Sequence, residues 1–176
     1  MKFAKWPVLF LMLAGQGCGN LSTAQEKVTE FELGSDLKLS VSEVYFSEDQ
    51  RQNCEQNIKP CLQNGSLHFG AEFSAPLSYV KKMTLQTQGR SYQLDTSYMY
   101  NALLGSPSLV KNVVQYLYAS CHTPNSCLVR GLFSDAGSSY VAEWMVIDGK
   151  SIRTILTSSQ DVVSKFRESI KPPLFE

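Results

Sequence analysis

Cys127-Leu-Val-Arg-Gly-Leu-Phe133, Ser134-Asp-Ala-Gly-Ser-Ser139, Tyr140-Val-Ala-Glu-Trp-Met-Val-Ile147, Asp148-Gly149 and Ser151-Ile-Arg-Thr-Ile-Leu156 are the stretch on which the fold turns. Three runs rich in β-branched and aromatic residues are separated by two short polar breaks. That pattern predicts strands at Cys127–Phe133, Tyr140–Ile147 and Ser151–Leu156. Asp-Gly is a strong signal for a two-residue hairpin, because both turn positions need a positive φ. The three strands therefore form a meander. Immediately after it, Ser158 with Asp161 three residues later can cap a helix from Ser159 to about Ile170. Val162, Val163, Phe166 and Ile170 fall on one stripe of that helix, and Pro172-Pro173 stops it.

Working towards the N-terminus, the two-residue period recurs. Tyr79–Gln86 and Ser91–Leu94 flank Thr87-Gln88-Gly89-Arg90 as a hairpin. Leu67, Phe69, Ala71 and Phe73 alternate as a strand does, until Pro76. Phe31, Leu33, Leu37, Leu39 and Val41 alternate about a turn at Gly34-Ser35, with Gln25–Glu30 as a polar lead-in and Val44-Tyr45-Phe46 as an extension. Ser47–Gly65 is polar and reads as a long excursion with a single helical turn. Tyr98–Leu104 fits a helix or a strand. Leu109–Ala119 has a strand-like composition beyond the Gly105-Ser106-Pro107 break. The expected fold is mainly β, an antiparallel sheet or a sandwich of hairpins with a short C-terminal α-helix, and α+β is the alternative.

The 176 residues are 43% hydrophobic and 18% charged, a composition able to bury a core. Lys+Arg and Asp+Glu each number 16, so the formal charge is zero and the basic excess of a nucleic-acid binder is missing. Only two histidines occur, His68 and His122, which argues against His-rich metal sites and histidine-centred catalysis. Nothing in the chain calls for a cofactor.

Lys2 and Lys5, the apolar Trp6–Ala14 and the small residues after it form an export signal too short to span a ~30 Å hydrocarbon core. Residues 1–24 are read as this signal and 25–176 as a single β-rich exported domain. Two cleavages compete. One lies before Cys18, which would then carry a lipid; the other lies after Ala24, in Ser22-Thr23-Ala24. The expected location is the periplasm, with contact to a membrane only through a lipid on Cys18. With Cys18 set aside, four cysteines remain, and an oxidising compartment makes them two disulfides. Closeness in sequence pairs Cys54 with Cys61 and Cys121 with Cys127, with a zinc site as the alternative.

Catalytic readings of the sequence are weak. No Gly-x-Ser-x-Gly elbow surrounds Ser138-Ser139, and no spacing supports a Ser–His pair with His122. Glu143 and Asp148 could form a carboxylate pair, but alternation with an inward Trp144 turns Glu143 to solvent. Binding is the stronger reading. Asp135, Gly137, Ser138, Ser139 and Tyr140 form a short loop of small hydroxyl side chains between two strands, able to enter a partner's cleft with little loss of entropy. The Cys121–Cys127 loop carrying His122 is a second preorganised surface.

The quoted stretch, with the final Pro-Pro-Leu-Phe-Glu, is similar to small exported proteins of Gram-negative bacteria. Together with the paired cysteines and the β-rich body, it resembles the periplasmic immunity proteins of type VI secretion systems. Those neutralise cell-wall-degrading effectors by blocking the active site. Ser138-Ser139-Tyr140 also resembles the Ser-Gly-x-x-Tyr loop of periplasmic lysozyme inhibitors, although here the glycine precedes the serines. The resemblance implies a non-enzymatic inhibitor whose partner is a protein, a cognate toxin or peptidoglycan hydrolase. An envelope lipoprotein with a structural or assembly role is the alternative, and a hydrolase stands third.

Overall fold

A computed structural model describes residues 24–34, 36–56, 69–71, 75–134 and 136–173. Residues 1–23 with Cys18, residues 57–68 with Cys61, and Asp135 lie outside the described residues, and with them the expected signal and the Cys54–Cys61 pairing. Two four-stranded antiparallel sheets make up the body. The first is β1 (Gln25–Gly34), β2 (Leu37–Tyr45), β3 (Ser78–Thr87) and β4 (Arg90–Leu94), in that spatial order. The second is β5 (Leu117–Thr123), β6 (Ser126–Phe133), β7 (Tyr140–Ile147) and β8 (Lys150–Thr157). Helices interrupt or follow the sheets: α1 (Glu48–Gln56), α2 (Pro107–Lys111), α3 (Val113–Tyr116) and α4 (Gln160–Glu168). Among the described residues, no helix is long and apolar enough to cross a membrane.

Each sheet is a meander, so its hairpin turns collect at one end and its longer connections at the other. Gln88-Gly89 and Asp148-Gly149 all have positive φ, the requirement of a tight two-residue reversal. At this end Asn125 ties three turns together. Its side-chain oxygen accepts from Arg90 and from the Tyr92 hydroxyl, and its carbonyl accepts from the Gly149 N–H at 3.2 Å. Cys121 and Cys127 face each other directly across β5 and β6 and are joined by a disulfide. Cys54, near the end of α1, is also disulfide-bonded.

Side chains alternate across each strand, and the inward faces of the two sheets share one core. Leu39 and Val41 of β2, and Val80, Met83 and Leu85 of β3, belong to the same cluster as Val129, Phe133, Ala142 and Trp144 of the second sheet. The Phe133 ring stacks on Tyr140 at 5.3 Å and meets the Trp144 edge at 6.2 Å. Such aromatic pairs add about 0.5–1.5 kcal/mol each beyond their burial. The molecule is thus mostly β with a short C-terminal helix, as the alternation predicts.

α4 lies on the outer face of the second sheet. Val163, Phe166 and Ile170 bury themselves against Leu132 of β6 and Val141 of β7, the stripe expected from the sequence. Ser159, not Ser158, occupies the N-cap, and no side-chain hydrogen bond caps the helix. The apolar stripe therefore holds α4 in place without the capping box.

Several expectations are corrected. Gln25–Glu30 is part of strand β1, because polar residues serve an edge strand whose backbone bonds to β2, from Gln25 opposite Tyr45 onwards. The excursion after Tyr45 carries a nine-residue helix, not one turn. Leu109–Lys111 and Val113–Tyr116 are helical, so only Leu117 onwards follows the strand-like composition. Phe69 makes one isolated bridge to Met99, while Leu67 and Phe73 lie outside the described residues. Glu143 is not solvent-facing: it is 9% exposed and paired with Arg130 across β6 and β7.

Candidate functional site

The connection from β6 to β7 is fixed at both ends. Ser134 enters it with φ 61° and donates its N–H to the Ala102 carbonyl at 3.4 Å. A single 3₁₀ turn, Ala136–Ser138, follows. At the exit, Tyr140 is fully buried between the Phe133 and Phe69 rings. Ser139 is 1% exposed, and its hydroxyl oxygen accepts a hydrogen bond from Arg167 Nη2 of α4 at 2.8 Å.

This geometry sorts the residues that the sequence groups together. Gly137 is exposed, with no atom within 4 Å of where a Cβ would stand, and Ser138 is half-buried beside it. Ser139 and Tyr140 are anchors, not contact groups, because neither reaches solvent. Asp135 lies outside the described residues. His122 is exposed on β5, close to the turn end. The length of β6, at ~3.3 Å per residue, places it about 20 Å from the Ala136–Ser138 turn. The structure therefore does not bring His122 to the loop, and the two surfaces are at opposite ends of the sandwich.

Arg167 was not singled out by the sequence. It also lines a cavity of about 540 Å³, together with Val114, Tyr116, Leu132, Ile170 and Lys171. The only local hint in the sequence is two cations at the end of an amphipathic helix, a pattern common to helix C-termini.

A second polar cluster sits under the strained segment Tyr98–Leu103, where Tyr98, Asn101 and Leu103 all have positive φ. The Asn101 side chain holds this backbone: its oxygen accepts from the Leu77 and Ser78 N–H groups, and its nitrogen donates to the Gly70 carbonyl at 2.7 Å. Glu43, 2% exposed, accepts from the Ser78 hydroxyl, the Tyr45 hydroxyl at 3.2 Å and the Leu103 N–H at 3.3 Å. Ser78 is fully buried, so no substrate reaches this Ser–Glu pair and its work is to hold the fold.

Tyr45 has a measurable consequence. Burial first, then the neighbouring Glu43 charge, pushes its hydroxyl up to about 12. The unfolded chain would release this proton nearer the ordinary value of ~10. Stability from Tyr45 is therefore intact below that value and lost as pH rises through about 12. A phenolate absorbance titration should show one tyrosine ionising late. Tyr45→Phe should flatten the stability loss above pH ~10. An unchanged slope in the variant would assign the loss to other groups.

Among the described residues, no three His, Cys, Asp or Glu side chains are grouped to hold a metal ion. In comparisons with protein-family models, curated proteins and solved structures, no match to this chain was found.

Proposed function

We propose that this chain is an exported, non-enzymatic inhibitor: an immunity protein that binds and blocks a cell-wall hydrolase used as an antibacterial effector. The observation that carries the reading is the Ala136–Ser138 turn. Its tip is open to solvent at Gly137, while Ser139 and Tyr140 fix its base. A loop ordered before its partner arrives loses little entropy on docking, and a glycine tip can approach a catalytic centre closely. The export-like N-terminus and the Cys121–Cys127 disulfide support an oxidising compartment, where such hydrolases act.

The test uses cell-wall hydrolases encoded beside this chain, expressed in the periplasm of a susceptible cell. The wild-type chain should prevent lysis by one of them and inhibit peptidoglycan clearing by that purified enzyme. Gly137→Trp and Ser138→Arg should abolish inhibition, and Gly137→Trp, at an exposed position, should alter stability by no more than ~0.5 kcal/mol. Gln93→Trp, on an exposed position of β4, is the control and should inhibit normally. If no neighbouring hydrolase is inhibited, the inhibitor reading fails. If the chain itself clears peptidoglycan, it is an enzyme. If both loop variants inhibit as well as wild type, the contact surface lies elsewhere.

A further inference from the structure

The cavity at the end of α4 has two chemically different walls. Val114 and Tyr116 of α3, Leu132 of β6 and Ile170 beyond α4 form an apolar wall. Arg167 and Lys171 form a cationic one, and neither makes an ion pair among the described residues. Among the described residues of the lining, the one carboxylate, Glu168, is already held by Lys165 at 2.9 Å. The described residues of the cavity therefore carry an excess of positive charge facing an apolar surface. The smaller neighbouring cavity, about 330 Å³, shares Glu168, Ser169 and Lys171 with this one, and the cations it adds, Arg130 and Lys165, are matched by Glu143 and Glu168.

We infer that this cavity binds the C-terminal carboxylate of a peptide whose last side chain is apolar. The shared chemistry is one anionic head on one apolar body, and about 540 Å³ is ample for a terminal residue and its neighbour. A guanidinium presents its N–H donors as a planar fork that matches a carboxylate. Arg167 spends one Nη2 donor on Ser139 and so arrives with its orientation fixed. Lys171 supplies the second charge, while Gln115 and Ser169 on the same lining can bond the peptide amides. The last carbonyls of α4 oppose an anion, so the affinity depends on Arg167 and Lys171 together. This site does not depend on the inhibitor reading: its lining comes from α3, β6, the end of α4 and the residues after it, and the loop contributes only Ser139, which is buried and holds Arg167.

The test is an NMR titration of the isotope-labelled protein with an acetylated Gly-Gly-Ala-Leu peptide. The free acid should shift the amides of Gln115, Tyr116 and Ser169 to Lys171 saturably, with Kd on the order of 0.1–1 mM. The C-terminal amide of the same peptide should bind at least about tenfold more weakly. Arg167→Gln should show the same loss, and Arg167→Lys, which keeps the charge without the fork, should recover only part of it. Ser139→Ala leaves Arg167 in place but unheld, and a severalfold loss is expected. Unchanged resonances elsewhere verify that each variant is folded. The inference is overturned if the free acid gives no saturable shifts, if the amide binds as well as the acid, or if Arg167→Gln binds as wild type. Octanoate binding more tightly than the peptide would overturn the peptide assignment and make the site one for a fatty acid.

Discussion

Trp144→Ala is expected to remove about 3–5 kcal/mol of stability, the range for truncating a large buried aromatic. That is a large part of the ~5–15 kcal/mol by which an ordinary domain is stable, so much of the population should unfold on mild warming. The site explains the size of the effect. Trp144 is fully buried on β7 and meets Phe133 edge-on at 6.2 Å. Its indole N–H donates to the Asp95 carbonyl at 2.8 Å, just past the end of β4. Arg153 of β8 reaches the same residue, pairing with the Asp95 carboxylate at 3.0 Å. Trp144 thus fills the shared core and links the second sheet to the edge of the first. Trp144→Phe separates these roles, since it keeps most of the volume and drops the donor. It leaves the Asp95 carbonyl to Arg153 Nη1 at 3.4 Å and should cost less than the alanine variant. Urea unfolding of both proteins measures the difference. An alanine variant within ~1 kcal/mol of wild type would show that the two sheets do not depend on this contact.

The inward position of Trp144 was legible because alternation from Tyr140 to Ile147 is a local property of the chain. The same holds for the turns with positive φ at Asp148-Gly149 and at Gly89, where residue type and backbone requirement coincide; Gln88, also at positive φ, is carried there by its glycine neighbour and the flanking strands. What stayed hidden depends on residues distant in sequence. β1 begins with Gln25-Glu-Lys, whose strand character comes from pairing with Val44 and Tyr45, not from its own propensity. Alternation correctly puts Glu143 on the face opposite Trp144, but it cannot say that this face is covered. α4, arriving later in the chain, together with Arg130 and Thr154, removes Glu143 from water. The loop shows the same limit. Ser138 and Ser139 are indistinguishable as small hydroxyls in the sequence. Only the arrival of Arg167, 28 residues further on, makes one an anchor and leaves the other beside the tip.

That cover over Glu143 gives the second large effect. Arg130 Nε and Glu143 Oε2 lie 2.7 Å apart, with side chains only 14% and 12% exposed. The two residues are directly opposed across β6 and β7. Thr154 donates its hydroxyl to the other carboxylate oxygen at 2.8 Å, and the Arg130 guanidinium stacks over the Phe166 ring of α4 at 4.9 Å. A pair this enclosed behaves differently from an exposed one, whose loss typically matters by less than ~1 kcal/mol. Arg130→Ala should cost about 3–5 kcal/mol, because it strands the carboxylate away from water. Glu143→Ala should cost a comparable amount, by stranding the guanidinium beneath α4. Removing both charges is a different matter. Arg130→Met with Glu143→Leu replaces the pair by apolar side chains under an already apolar helix, and the result should be near wild type or up to ~1–4 kcal/mol more stable. The double variant is therefore expected to be more stable than either single one, which additive effects cannot produce. Urea unfolding of wild type, Arg130→Met, Glu143→Leu and the double variant completes the cycle and measures the coupling. If the two single losses are small and simply sum in the double variant, the pair is in effect solvated and α4 does not seal it.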